Sequence, residues 1–269
     1  MSDRLEVRKT YKLLINGAFP RSESGRSYEV ISAKDEFLAN AAQGSRKDLR
    51  DAVVAARAAQ AKWWSLSAYN RGQVIYRLAE MAESRSDELV EFVKLSEGVN
   101  SEKAKASVAK AIDRIVWYAG WTDKISQVLG GANPVAGPFY NFSVPKPTGV
   151  IGVIAPIAAG NSVIALASEK RPIPAVLLGE MTETSDFPAG VLNIITGFTS
   201  ELALGLASHE DIDGLDLEGA DEAFADELAF LAAGSIKRVL RPSKKNQKNS
   251  IHRLRAFVET STVWHTIGQ

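Results

Sequence analysis

The chain contains no cysteine, and that excludes a thiolate nucleophile, disulfides and thiolate-bound zinc together, because each needs sulfur. The three histidines, His209, His252 and His265, stand too far apart for metal-ligand spacing and read as ordinary surface or core residues. Two charge runs remain. Glu210 to Glu227 holds acidic residues with no lysine or arginine, and Lys237, Arg238, Arg241, Lys244, Lys245, Lys248, Arg253 and Arg255 form a basic stretch. No aromatic interleaving or known module accompanies the basic run, so it reads as a solvated linker and not as a nucleic-acid patch. The two runs carry the charges to neutralise each other.

The elements that must position these groups change character along the chain. Short strands come first: Tyr11 to Ile15 ends at the turn pair Asn16-Gly17, and Tyr28 to Ile31 follows a turn at Ser24-Gly25. Ser45 with Asp48 makes a capping signature ahead of an alanine-rich helix from Leu49 to Trp64. Amphipathic helices are expected over Ala68 to Glu83, Asp87 to Glu97 and Glu102 to Val128. Their tryptophans, Trp63, Trp64, Trp117 and Trp121, read as core.

After a Gly/Pro-rich loop at Gly130 to Pro138, apolar runs alternate with helical stretches. Strands are expected at Val150 to Ala155, Val163 to Ala167, Val191 to Thr196 and Leu215 to Leu217, with helices at Ile173 to Thr184 and Ser200 to Ala207. This alternation predicts an α/β fold with a doubly wound, mostly parallel sheet under a helical layer. Lys and Arg (32) equal Asp and Glu (32) over 269 residues, so no global attraction to nucleic acid or an anionic membrane arises. Pro147 to Ser168 carries no charge before Glu169, yet Pro156 and Gly160-Asn161 interrupt it and its β-branched run suits a buried strand better than a membrane helix. The charged N-terminus lacks the apolar stretch of an export signal, and the cytoplasm is the expected location.

Several segments resemble the aldehyde dehydrogenase family. Leu13-Leu14-Ile15-Asn16-Gly17 is similar to the family's opening strand, Tyr118-Ala119-Gly120-Trp121 to its long-helix signature, and Lys146-Pro147-Thr148-Gly149-Val150-Ile151-Gly152 to its first sheet strand. Phe187-Pro188-Ala189-Gly190-Val191-Leu192-Asn193-Ile194-Ile195-Thr196-Gly197 resembles the family's strand and cofactor loop, and Ala207-Ser208-His209-Glu210-Asp211-Ile212-Asp213 follows at family spacing. Leu254 to Val263 resembles the C-terminal strand used in assembly, as Phe142 to Val144 resembles the assembly hairpin.

The resemblance implies an NAD-binding-type domain over 1–241, a basic linker over 242–251 and an oligomerisation-type strand over 252–269. The catalytic domain would be missing between them. Family members use a cysteine nucleophile, an oxyanion asparagine and a base glutamate. Here the cysteine is absent, Ala155-Pro156 runs directly into Ile157-Ala158-Ala159-Gly160-Asn161 where a helix should intervene, and Pro242 falls at the glutamate's place, with Lys244 and Lys245 where two glycines should follow. No catalytic residue is therefore assigned. Because parallel strands need a crossover of roughly a dozen residues, the strands at Val150 and Val163 are expected to pair differently from the family, or merge.

For the cofactor, the resemblance leaves Glu169, Gly197 and Gly219 as vestigial NAD(P) contacts. Leu166 stands where the family has a lysine, and the hydroxyl expected near Leu217-Glu218-Gly219-Ala220 is missing. The expected function is a non-catalytic subunit, in a homo- or hetero-oligomer with a full-length aldehyde dehydrogenase. A second reading is an NAD(P)-binding oxidoreductase or sensor of altered chemistry.

Overall fold

The computed structural model describes residues 8–152, 155–243 and 249–267. Its first strands, β1 (Thr10–Tyr11), β2 (Ser27–Ile31) and β3 (Phe37–Ala42), form a small sheet in the order β1-β3-β2. The strand expected to reach Ile15 ends early, because Leu14 bridges to Ile194 of the main sheet instead. Asn16 and Gly17 take positive φ (53° and 72°), the mirror-image turn their types favour, and Ile15 and Ala18 exchange backbone hydrogen bonds across it at 3.0 Å.

The capping signature is realised. The Ser45 hydroxyl accepts the Asp48 N–H at 3.2 Å while the Asp48 carboxylate accepts the Ser45 N–H at 2.8 Å, and α1 (Arg46–Ser65) begins there. α2 (Ala68–Ser84), α3 (Ser86–Glu97) and α4 (Ser101–Ala119) follow. The helix expected to reach Val128 stops at Ala119 and resumes as α5 (Ile125–Leu129). The intervening turn folds Thr122 onto α2, where a Cβ on Gly72 would lie 2.7 Å from the Thr122 hydroxyl oxygen. Trp63 is fully buried, as expected of a core residue, while Trp64, Trp117 and Trp121 are half-buried. β4 (Gly131–Asn133) and β5 (Phe139–Pro147) then pair antiparallel.

The main sheet holds β6 (Val150–Gly152), β7 (Ser162–Leu166), β8 (Leu192–Ile195), β9 (Gly214–Asp216) and β10 (Arg238–Leu240). Their order is β10-β9-β6-β7-β8, and every pairing is parallel. The chain steps outward from β6 to β8 and then returns to the other side of β6, which is the doubly wound pattern. α6 (Ile173–Thr182), α7 (Thr199–Ser208) and α8 (Glu222–Ala232) connect successive strands. Both faces are covered: Ile164 packs with Leu49, Val53 and Leu206 on one, and Val163 with Trp63 and Tyr118 on the other. Double coverage explains why these strands read as continuous apolar runs.

β6 and β7 pair in parallel despite the short connection, with Val150 opposite Ser162 and Ile151 opposite Val163. The expectation that they merge is thereby corrected, since they remain two strands. A three-residue strand advances only ~10 Å, and the five residues of 3₁₀ helix at Ala155–Ala159 return a similar ~10 Å. Gly160, at φ 94° with the Trp64 ring against it, turns the chain into β7. Among the described residues, no helix is long and apolar enough to cross a membrane.

The strand expected from Leu254 begins instead as a helix, α9 (Ile251–Ala256), followed by β11 (Val258–Thr266). The Ser250 hydroxyl accepts the His252 N–H at 3.1 Å, and a helical turn puts Leu254 and Phe257 on one face, where both are fully buried. β11 then pairs antiparallel with β5 from Val258 opposite Pro147 to Thr266 opposite Phe139, completing an arm in the order β11-β5-β4. Lys244, Lys245 and Lys248 lie outside the described residues.

Candidate functional site

Where the strand order reverses, between β6 and β9, the strand ends open onto a cleft of about 860 Å³, the position at which an open parallel sheet holds a ligand. Ile164, Leu166, Leu206, Leu215 and Leu228 make its floor apolar. Thr199 and Ser200 at the start of α7, and Asp221 at the start of α8, form part of its wall.

Helix N-termini attract anions through their unpaired N–H groups, and here the chain's own carboxylates take one donor at each. Glu169 Oε2 accepts the Thr199 N–H at 3.0 Å. Asp221 Oδ1 accepts the Phe224 N–H at 2.9 Å, with Glu222 adding a charge in the same turn. A pyrophosphate would meet like charges, each costing ~1–4 kcal/mol near 4 Å, against ~0.3–1 kcal/mol that a helix N-terminus contributes. The residues present do not fit a dinucleotide pyrophosphate.

The three candidate cofactor residues separate in space. Glu169 and Gly219 line the cleft, and Gly219, at φ 97°, makes the left-handed turn from β9 toward α8. Gly197 lies against Gly44, whose N would be 3.1 Å from an added Cβ, so packing requires it. Leu166 adds apolar surface to the cleft. Near α7, burial and, second, the charge of Glu169 push the Tyr28 phenol up to about 12.

The acidic run does not simply face solvent. Six of its members are exposed, but Asp216 is buried, and Arg253 of α9 grips it with two hydrogen bonds, Nε to Oδ2 at 2.6 Å and Nη2 to Oδ1 at 3.0 Å. Burial alone would lower the Arg253 guanidinium, but the bond and charge of Asp216 outweigh it and hold it above its ordinary value. Arg253 is therefore a buried partner and not part of a solvated linker, whereas Arg241 pairs with Asp226 at the surface. The signal for this pair was Asp216 itself, a charge between Leu215 and Leu217 that burial would penalise without a partner.

Asn161 is fully buried, its Oδ1 accepting the Gly149 N–H at 2.8 Å and its Nδ2 donating to the Pro156 and Phe257 carbonyls at 3.0 Å each. Pro242 follows β10 without a titratable group. Among the described residues, no cluster of His, Asp and Glu is arranged to hold a metal.

Comparison with known proteins agrees with this architecture. The model of the aldehyde dehydrogenase family matches residues 19–241. The mitochondrial benzaldehyde dehydrogenase of Antirrhinum majus is 31% identical over 247 residues, covering 85% of this chain and 46% of its own. HpcC from Thermus thermophilus superposes with a TM-score of 0.81 at 27% identity, over 86% of this chain and 47% of that one. PnpE, solved in complex with nicotinamide adenine dinucleotide, gives a TM-score of 0.81 at 26% identity, over 85% and 50%. The chain spans about half the length of the curated relatives it matches. With the family model matched across most of its length and the same α/β fold, the chain belongs to the aldehyde dehydrogenase family.

Proposed function

We propose that this chain is a non-catalytic member of its family that assembles with a full-length aldehyde dehydrogenase subunit through the β4-β5-β11 arm. The observation that carries the reading is the arm: β11 lies in register along all of β5, while Phe139, Tyr140 and Trp264 remain exposed on it. Exposed aromatic surface of this kind marks interaction sites. The absent cysteine and the self-capped helix N-termini support a role other than aldehyde oxidation. The division into a domain over 1–241, a linker over 242–251 and an assembly segment over 252–269, and a cytoplasmic location, belong to the same proposal.

Co-expression of the tagged chain with a full-length aldehyde dehydrogenase of the same host tests it. The two are expected to co-elute as one species, and a chain that elutes alone refutes the assembly. Titrating NAD against tryptophan fluorescence tests the other reading, since Glu169 and Gly219 still line the cleft. No response at millimolar cofactor is expected, and a saturable response would favour an NAD-binding sensor.

A further inference from the structure

The cleft that disfavours a pyrophosphate joins an apolar floor to a rim on which negative charge is in excess. The chain builds that rim where two strands end: Leu166-Ala167-Ser168-Glu169 closes β7, and Leu217-Glu218-Gly219-Ala220-Asp221 follows β9. Both stretches line the cleft. The charged lining residues are Glu169, Asp216, Glu218 and Asp221 against Lys170 and Arg171.

Partners outside the cleft change this balance unequally. Arg253 holds Asp216 with two hydrogen bonds and so removes one carboxylate. Glu218 gains little from the same guanidinium, because its Oε2 lies 3.8 Å from Arg253 Nη2 while that nitrogen donates to Asp216 at 3.0 Å. Glu169 and Asp221 each accept an N–H at the start of a helix, but a helix N-terminus carries only about half a positive charge, less than the carboxylate it meets. On the other side, Arg171 leans toward Glu97 of α3 at 3.8 Å. Glu169, Glu218 and Asp221 therefore outnumber Lys170 and Arg171, even with Arg171 counted in full.

We propose that this cleft binds an amphipathic organic amine, with an apolar body on Ile164, Leu206, Leu215 and Leu228 and a primary ammonium at the carboxylates that follow β7 and β9. Its volume, about 860 Å³, lies in the range of small-molecule sites. An ammonium brings three donors and no acceptor, and Glu169 and Asp221 each have a second oxygen beyond the one bonded to the helix. A carboxylate or phosphate on the same apolar body would meet the repulsion that excludes the pyrophosphate. Nothing in this site depends on the β4-β5-β11 arm, so amine binding and assembly with a full-length relative can fail separately.

Isothermal titration of the purified full chain with octylammonium chloride, at neutral pH and physiological salt, tests the site. Saturable binding is expected below the concentration at which the amine aggregates. Octanol, the same body without the charge, should bind roughly tenfold more weakly, the worth of one charge-assisted hydrogen bond, and octanoate should give no measurable binding. Hexylammonium buries two fewer methylenes and should also bind about tenfold more weakly. Glu169→Gln with Glu218→Gln keeps an acceptor for the Thr199 N–H. It should weaken octylammonium about tenfold and leave octanol affinity and melting temperature as in the parent. Asp221→Asn, which keeps the cap of α8, should weaken the amine alone in the same direction and serves if the double variant does not fold. Failure of octylammonium to bind, octanol or octanoate binding as tightly, or unchanged amine affinity in the folded variants overturns the proposal.

Discussion

The parallel sheet makes two successive crossovers in opposite ways. From β7 to β8 the chain supplies its own helix, α6, whose Ile173 and Leu177 are fully buried. From β6 to β7 the described residues supply a 3₁₀ turn, and the cover comes from α9 and Phe257, far along the chain. Each crossover is fastened by a buried asparagine. Asn193 holds the Gly190 and Val163 carbonyls beside it and the N–H of Asn16 in the N-terminal turn. Asn161 holds Gly149, Pro156 and Phe257, tying the short turn to the segment that covers it. A crossover without an α-helix of its own is thus tolerated when another part of the chain covers it and satisfies its backbone.

If α9 does stand in for that helix, the largest effect belongs to the ion pair that anchors it. Arg253→Met leaves Asp216 charged and buried, and is expected to destabilise by about 3–5 kcal/mol in chemical denaturation. Adding Asp216→Leu should recover most of the loss, because replacing a buried pair by apolar residues is often near neutral. A single variant within about 0.5 kcal/mol of the parent would break the comparison. Asn161→Leu comes next. It strips partners from one N–H and two carbonyls, an expected cost of about 3 kcal/mol, and hydrogen exchange should rise together at β6 and α9 while α6 stays protected.

The smallest effect lies at the α7 end of the cleft, away from both crossovers. The Tyr28 phenol is raised from 10.0 to about 12, so the folded chain holds this proton more tightly than the unfolded one. Its contribution is complete below pH 10 and is lost as pH rises through about 12. Tyr28→Phe should flatten the stability profile across that window, and tyrosinate absorbance should show one late-titrating ring. An unchanged profile in the variant would place the alkaline loss elsewhere.

Local signals carried much of the fold into the sequence. The Ser45–Asp48 box, the Asn16-Gly17 turn and the alternation of apolar runs each depend on neighbours a few residues apart, and each element formed near its expected place. What failed depended on distant partners. Leu14 left its expected strand to bridge Ile194, and Leu254 to Ala256 turned helical because Leu254 fits a pocket beside Trp63 and Tyr118. At the site, the resemblance pointed to Glu169 and Gly219, which line the cleft, but periodicity could not reveal that Glu169 caps α7 or that Arg253 neutralises Asp216. Those contacts join residues 30 and 37 positions apart.

The Asn161–Phe257 bond has a consequence in time as well as in space. The two residues are 96 positions apart, and chains are synthesised at ~5–20 residues per second. The first crossover must therefore wait ~5–20 s for its cover on the ribosome, with apolar β6 and β7 held open meanwhile. The second crossover closes without that delay, so the nascent chain is most vulnerable to misassembly at the turn whose cover is made last.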